Sequence, residues 1–151
     1  MESINFKENE LNEGLRNLVN SVYNSKGRFY HGVNHINNML QKFEELYEKI
    51  PEVKDEIDYE SMRLAIIFHD LIQGCKDAEK ESADIVSKLL ITSFSLPEIC
   101  YLIRVTNYDL YKETWDWGHA LDADLIRDLD LEGLGAPWEA YLHNSFLILA
   151  D

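Results

Sequence analysis

The sequence predicts an all-α protein, a single bundle of about six to seven helices. Apolar residues recur at helical spacing in successive segments, and no segment shows sustained period-two alternation. The prolines Pro51, Pro97 and Pro137 each fall where a helical pattern breaks, so they indicate boundaries between helices. The 151 residues are enough for one domain with a substantial core and few for two. We therefore expect one domain over residues 1–151.

The first two predicted helices are amphipathic. One is expected over residues 9–24 and is followed by a turn at Gly27. The other is expected over residues 32–49 and ends at Pro51. In both, the apolar residues are three and four positions apart, as one buried face of a helix requires.

The third predicted helix, residues 58–74, is expected at the centre of the bundle. Its residues 64–72 are apolar on most faces, which is typical of a helix that is buried all round. Gly74 is expected to end it. A fourth helix is predicted over residues 77–92.

The C-terminal half continues the helical pattern after a serine cap at Ser95, which opens a fifth helix that runs to residue 109. Residues 110–120 show no clean period and predict a loop. A short helix is expected over residues 121–130, and a last one begins near Pro137.

The last predicted helix reaches Asp151 while still apolar, without a cap glycine or a basic last turn. Two alternatives remain open for it. Either the helix docks into the core, or the C-terminal helix of a longer ancestor is missing. We favour the second.

The charge balance excludes one class of partner. The 28 acidic residues outnumber the 14 basic ones, which gives a formal charge of −14. Such a surface repels a nucleic-acid backbone, so we expect no nucleic-acid polymer as a partner. A small phosphorylated molecule stays compatible where a cation or a basic pocket offsets its charge. Self-association into a homo-oligomer is left open.

Cysteine usage and hydropathy indicate the compartment. Cys75 and Cys100 lack the spacing of a zinc clip and are too few for a disulfide framework, which favours a reducing environment. The N-terminus lacks the apolar run of a signal peptide, and no segment approaches the roughly 20 apolar residues of a membrane span. We therefore expect a soluble cytoplasmic protein without a membrane partner.

The dipeptide His69–Asp70 is the most informative feature, because it interrupts the apolar run of the central helix. Burying an ionised carboxylate and an imidazole is costly unless an ion pair, a hydrogen-bond network or a metal compensates. A single polar residue of this kind is more often structural than catalytic, but a purely structural bundle with a buried ion pair is the alternative that we favour least.

Two other segments could complete a metal site. His31 and His35 are four apart and share one face of a helix. Asp122 and Asp124 are two apart, so a helix allows at most one of them as a ligand. Imidazole and carboxylate together suit Mn, Fe, Zn or Mg, which the sequence does not distinguish.

These segments resemble, in type and order, the motifs of the HD superfamily of metal-dependent phosphohydrolases. The nearest likeness is to small predicted HD phosphohydrolases with Arg-x-Tyr-His, Phe-His-Asp and Asp-Ala-Asp-Leu motifs. The matching segments are Arg28–Ile36, Phe68–Asp70, Asp77–Ala83 and Leu121–Leu125, and the resemblance covers residues 28–142. It implies an HD-type helical domain that binds a divalent metal ion.

The resemblance assigns the metal ligands as His35, His69, Asp70 and Asp124, with Asp122 as the runner-up for the last. It implies hydrolysis of a phosphate ester of a nucleotide or other small molecule by a metal-activated water.

For catalysis we assign the base role to Asp70, with Glu79 as the next candidate. His31 is expected to protonate the leaving oxygen, or else to cap the second helix without a catalytic role.

For substrate binding, Arg28 and Lys76 are expected to contact phosphate oxygens, the alternative being that both are surface charges. Trp117 is expected to stack on a nucleobase, although tryptophans at such positions more often cover a core edge.

The chain departs from the HD pattern at Gly32, Gln73, Ala78 and Asp109. These positions are expected to line the substrate pocket. They favour an alternative function, in which an HD-fold protein keeps the ion, has lost turnover and binds or sequesters a nucleotide.

Overall fold

The computed structural model describes residues 1–90, 95–107 and 121–151. All regular structure in those ranges is helical, with eight α-helices, one 3₁₀ turn and no strand. The all-α prediction is confirmed, although the number of helices exceeds the six to seven expected.

The elements occur in this order: α1 (Glu13–Tyr23), α2 (Val33–Lys49), α3 (Pro51–Glu56), α4 (Tyr59–Phe68), α5 (Ala78–Leu89), α6 (Leu96–Val105), α7 (Leu121–Leu131), the 3₁₀ turn (Glu132–Gly135) and α8 (Trp138–Ala150). Helix α3 was not predicted. Helix α2 ends at Lys49, as predicted, and Pro51 lies in the first turn of α3, where its missing N–H costs nothing. The predicted loop 110–120 lies outside the described residues.

Local capping fixes the start of two helices. The Asn12 side chain accepts a hydrogen bond from the backbone N–H of Leu15 at 2.9 Å, at the start of α1. Asp58 accepts one from the N–H of Ser61 at 2.8 Å, at the start of α4. Each cap satisfies a backbone donor that the helix itself leaves unpaired.

Helix α4 lies at the centre of the bundle, as predicted, and packs against α2, α5, α6 and α7. Its residues Met62, Ala65, Ile66, Ile67 and Phe68 are all fully buried. Burial on every side is what an all-round apolar helix requires.

Helix α4 ends at Phe68, which corrects the prediction that it continues to residue 74. The reason is tertiary. The Arg28 guanidinium donates hydrogen bonds to the backbone carbonyls of Asp70, at 2.6 Å, and Leu71, at 2.7 Å. Because these carbonyls have a partner outside the helix, the backbone can leave it without an unpaired buried group.

A buried ion-pair group ties the N-terminal segment to α2 and α4. The Arg63 side chain is 2 % exposed, and its Nε lies 2.5 Å from Oε1 of Glu10. Its Nη1 lies 2.6 Å from Oε1 of Glu44, and its Nη2 donates to the carbonyl of Asn5 at 2.9 Å. We call Arg63, Glu10 and Glu44 the arginine cluster.

Helix α8 differs from the others because none of its residues is buried. Its large apolar side chains Trp138, Phe146 and Leu149 are 68 %, 69 % and 83 % exposed. The helix packs against the 3₁₀ turn rather than into the core, so the docked alternative considered for it is not observed. Among the described residues, no helix has the length and apolar character needed to cross a membrane.

Candidate metal centre

Four side chains from distant parts of the chain converge in the interior: His35, His69, Asp70 and Asp130. We call them the His/Asp cluster. One potential ligand atom from each lies within 4.8 Å of the other three. Nε2 of His35 lies 3.1 Å from Oδ1 of Asp130 and 3.5 Å from Oδ2 of Asp70. Nε2 of His69 lies 3.1 Å from Oδ2 of Asp70 and 3.5 Å from Oδ1 of Asp130.

Three elements position these side chains. His35 lies in the first turn of α2, and Asp130 lies in the last turn of α7. His69 and Asp70 follow the end of α4 directly. The early end of α4 matters here because Arg28 holds the backbone of Asp70 in a non-helical path.

The His69 ring has a defined orientation and tautomer. Its Nδ1 lies 2.8 Å from the carbonyl oxygen of Ile66, and a carbonyl can only accept, so Nδ1 carries the proton. In the neutral ring, Nε2 is then unprotonated, and its lone pair faces the cluster. A histidine that ligates a metal through one nitrogen normally makes this kind of hydrogen bond with the other.

Two buried atoms of the cluster have no hydrogen-bond partner of acceptable geometry among the described residues, Nε2 of His69 and Oδ2 of Asp70. The other carboxylate oxygen of Asp70 accepts a hydrogen bond from Nε2 of Gln73 at 2.5 Å. An unpaired buried polar atom is costly and is rare in folded proteins. A cation between these atoms would remove that cost.

The charges of the cluster reinforce one another. Burial acts to lower the pKa of His69, but the Asp70 and Asp130 carboxylates outweigh it and raise that pKa well above its usual range. Burial acts to raise the pKa of Asp130, but the hydrogen bond with His35 and the neighbouring charge of His69 outweigh it and hold that pKa well below its usual range. Without a metal, the two carboxylates therefore favour the protonated form of His69.

Spacing and donor types fit one divalent ion. With metal–ligand bonds of about 2.0–2.2 Å, two ligand atoms of one ion lie about 3–4 Å apart. The 3.1 and 3.5 Å separations within the cluster fall in that range. Two imidazoles and two carboxylates suit Zn, Fe, Mn or Mg, so this group could hold a metal ion whose identity is not fixed.

Asp124, expected as the fourth ligand, does not join the cluster. It lies in the first turn of α7, its side chain is 39 % exposed, and its Oδ1 lies 3.8 Å from Nη1 of Arg127. The runner-up Asp122 accepts a hydrogen bond from the N–H of Ala123. Asp130 takes the fourth place instead, six residues further along, which corresponds to about 9 Å of helix.

The sequence contains a pattern that indicates Asp130 as a potential ligand. The Asp-x-Asp-Leu pattern of residues 122–125 occurs again in residues 128–131, where Asp130 has the place that Asp124 has in the first copy. Both copies lie on α7, and it is Asp130, in the C-terminal turn, that lies beside His35 of α2 and His69 at the end of α4. The choice between the two copies depends on how the helices pack.

His31 and Arg28 lie near the cluster without belonging to it. The ring centroids of His31 and His35 are 5.8 Å apart. Nδ1 of His31 lies 2.5 Å from a side-chain oxygen of Asp151. The Arg28 guanidinium is directed to backbone carbonyls, and its predicted phosphate contact stays a prediction.

The remaining predicted site residues lie elsewhere. Glu79 accepts a hydrogen bond from Nδ2 of Asn107 at 2.9 Å, on the side of α5 that faces α6. Lys76 is exposed in the turn before α5. Trp117 lies outside the described residues. The roles assigned to these three residues therefore stay predictions.

A cavity of about 840 Å³ opens beside the cluster, between α2, α7, the 3₁₀ turn and α8. Both His35 and Asp130 line it, so a ligand in the cavity can reach the cluster. Polar side chains also face it, among them Asn34, Asn38 and Asn144. A volume of several hundred cubic ångströms is typical of small-molecule sites.

No protein-family model matches this chain, and no curated protein and no solved structure matches it either. The resemblance to the HD superfamily therefore stays a prediction from the motifs. The observations that bear on function are the His/Asp cluster and the cavity that leads to it.

Proposed function

We propose that this protein is a metal-dependent phosphohydrolase of the HD type, which cleaves a phosphate ester of a nucleotide or another small molecule. One observation carries the proposal. The His/Asp cluster has ligand atoms at metal-binding separations, two of them buried and unpaired, at the wall of an open cavity.

The four cluster residues, His35, His69, Asp70 and Asp130, would hold the divalent ion. A bound ion of this kind supplies Lewis acidity, which polarises a phosphoryl oxygen and makes water a stronger acid. The Gln73 amide orients the Asp70 carboxylate, and the Ile66 carbonyl orients the His69 ring. Such supporting contacts tune metal affinity.

Asp70 is the stronger of the two candidates for the general base. One of its oxygens is held by Gln73, while the other faces the cluster, where it would both bind the ion and accept a proton from a neighbouring water. Glu79, the second candidate, is bonded to Asn107. His31 lies beside His35 and is the candidate for protonating the leaving oxygen.

The cavity and the net charge limit the substrate. The volume of about 840 Å³ is sufficient for a nucleotide-sized molecule. The formal charge of −14 repels polyanions, so a small phosphate ester fits better than a nucleic-acid polymer. The proposal includes a cytoplasmic location and leaves the oligomeric state open.

The test is metal analysis combined with phosphate release. Purified protein is expected to carry a divalent ion and to release phosphate from a chromogenic ester or from members of a nucleotide panel. Asp130→Asn is expected to lose both properties, while Asp124→Asn is the matched control, because it makes the same change on the same helix outside the cluster. Full metal content in Asp130→Asn would overturn the proposal.

A nucleotide-binding protein without turnover is the second candidate. One observation favours it: Arg28, expected to contact the phosphate, and His31, expected to protonate the leaving oxygen, are both engaged in other hydrogen bonds. In that case the same panel would show saturable binding of a nucleotide to the metal-loaded protein, with no phosphate released.

A further inference from the structure

Three consecutive backbone N–H groups converge on one carboxylate next to the His/Asp cluster. The N–H groups of Phe29, Tyr30 and His31 all donate to the side chain of Asp151, the last two at 2.9 Å. Nδ1 of His31 lies 2.5 Å from the same carboxylate. We call the N–H groups of residues 29–31, with the His31 ring, the amide nest. Successive N–H groups turned to one side form an anion-binding concavity.

The amide nest binds the Asp151 carboxylate, whose negative charge is unfavourable at the end of helix α8. Asp151 caps the C-terminal end of α8, where the helix dipole repels a carboxylate. Its side chain is nevertheless only 12 % exposed. Partial burial acts to raise the pKa of Asp151, but the hydrogen bonds from residues 29–31 outweigh it and lower that pKa. The nest therefore stabilises the ionised form of this carboxylate.

The nest is adjacent to the proposed metal site. The His31 ring lies next to the His35 ring, with centroids 5.8 Å apart, and Nε2 of His35 belongs to the cluster. Tyr30 contributes both to the nest and to the wall of the cavity. Arg28 places a positive charge directly before the nest and donates to the His31 carbonyl at 3.3 Å. An anion in the nest would thus lie beside a ligand bound at the cluster.

Helix α8, which carries Asp151, is weakly fixed. None of its residues is buried, so moving it away from the cavity exposes little additional apolar surface. His143, Asn144 and Leu147 of this helix line the cavity. The Asp151 carboxylate is its hydrogen-bonded attachment to residues 29–31.

We propose that the amide nest is the phosphate subsite of this protein, and that the Asp151 carboxylate occupies it as an internal competitor. A phosphate group of the ligand would replace Asp151 and release the end of α8. The choice of phosphate rests on the proposed function, whereas the occupancy of the nest by Asp151 does not depend on a metal.

Inorganic phosphate is the probe, titrated into the full chain in the presence of a chelator and followed by the amide resonances of residues 29–31. In Asp151→Ala the competitor is gone, so the apparent Kd for phosphate is expected to fall roughly tenfold or more. The shifts should map to residues 29–31. Adding His31→Ala to Asp151→Ala should weaken phosphate binding again.

Asp128→Ala is the matched control, because Asp128 is an acidic residue of the same cavity outside the nest. The Kd of the Asp128→Ala variant for phosphate should differ from that of the wild type by less than about twofold, since the interaction with a solvent-screened charge is weak. An equal effect of both variants, or shifts that map elsewhere, would overturn the proposal. Because the titration is done with a chelator, its outcome does not depend on a bound metal. If the protein purified without chelator contains no metal, the proposed phosphohydrolase function fails, but the phosphate-subsite proposal can still hold.

Discussion

The arginine cluster and the His/Asp cluster both bury charged groups in the same bundle, yet their bonding differs. In the arginine cluster, the Arg63 nitrogens are matched by Glu10, by Glu44 and by the Asn5 carbonyl. In the His/Asp cluster, Nε2 of His69 and Oδ2 of Asp70 are buried without such partners. The polar groups of the first cluster are paired within the chain, whereas the second cluster leaves two buried polar atoms without a hydrogen bond.

The contrast separates a structural ion pair from a candidate site. Burying charges is tolerated when complementary groups compensate the lost hydration. The arginine cluster meets that condition and lies away from the cavity. The His/Asp cluster meets it incompletely, since two of its buried atoms lack a hydrogen bond, and two of its residues line the cavity. Buried charge alone is therefore a weak indicator of function. Buried polar atoms that lack a hydrogen-bond partner are a stronger indicator.

The largest effect on metal binding is expected from removing a cluster imidazole. Adding Mn²⁺ or Zn²⁺ at about a hundred times its Kd should raise the melting temperature of the wild-type protein by roughly 5–10 °C. His69→Ala should abolish this rise, because the ion loses a ligand. Differential scanning calorimetry with and without metal measures it. An undiminished rise in His69→Ala would contradict the ligand assignment.

The largest effect on stability is expected at the arginine cluster, and it should leave metal binding unchanged. Arg63→Met leaves Glu10 and Glu44 without their buried partner, so the free energy of unfolding should fall by about 3–5 kcal/mol. Urea denaturation measures the loss. The folded fraction should still bind metal with unchanged stoichiometry, and a lost metal site would show that the two clusters are not independent.

An intermediate effect is expected from the support of the His/Asp cluster. Gln73→Leu removes the hydrogen bond that orients Asp70 and should weaken metal binding by about 10- to 100-fold, with a much smaller effect on stability. Calorimetric titration of the metal-free protein gives the affinity. The control is Gln41→Leu, since Gln41 bonds to Glu45 on the surface of α2. Equal metal affinity in both variants would exclude the orienting role.

The smallest effect is the pH dependence of the arginine cluster. Burial acts to raise the pKa of Glu44, but hydrogen bonds from Tyr59 and Arg63 outweigh it and lower that pKa in the folded protein. The unfolded state therefore binds the proton more readily, and the stabilisation is complete above the ordinary pKa of 4.5 and lost as the pH falls through the lowered value. The difference in unfolding free energy between wild type and Glu44→Gln should shrink between about pH 6 and pH 3. A constant difference would contradict this assignment.

Local pattern was enough for the all-α class and for the central position of α4, because helical spacing and apolarity on all faces are properties of short segments. It also identified His69 and Asp70 as anomalous, since their cost of burial depends only on an apolar neighbourhood in the sequence. His35 followed from a motif of nine residues. These inferences did not require knowing which helices touch.

Long-range contacts decided the rest. Helix α4 ends at Phe68 because Arg28, forty residues earlier, takes the carbonyls that follow it. The fourth member of the cluster is Asp130 rather than Asp124, since the two lie on different turns of α7 and packing brings only one of them to the site. Sequence alone fixed which residue types could form a metal site, while tertiary structure chose among equivalent carboxylates, because their distance to the other ligands depends on how separate helices dock.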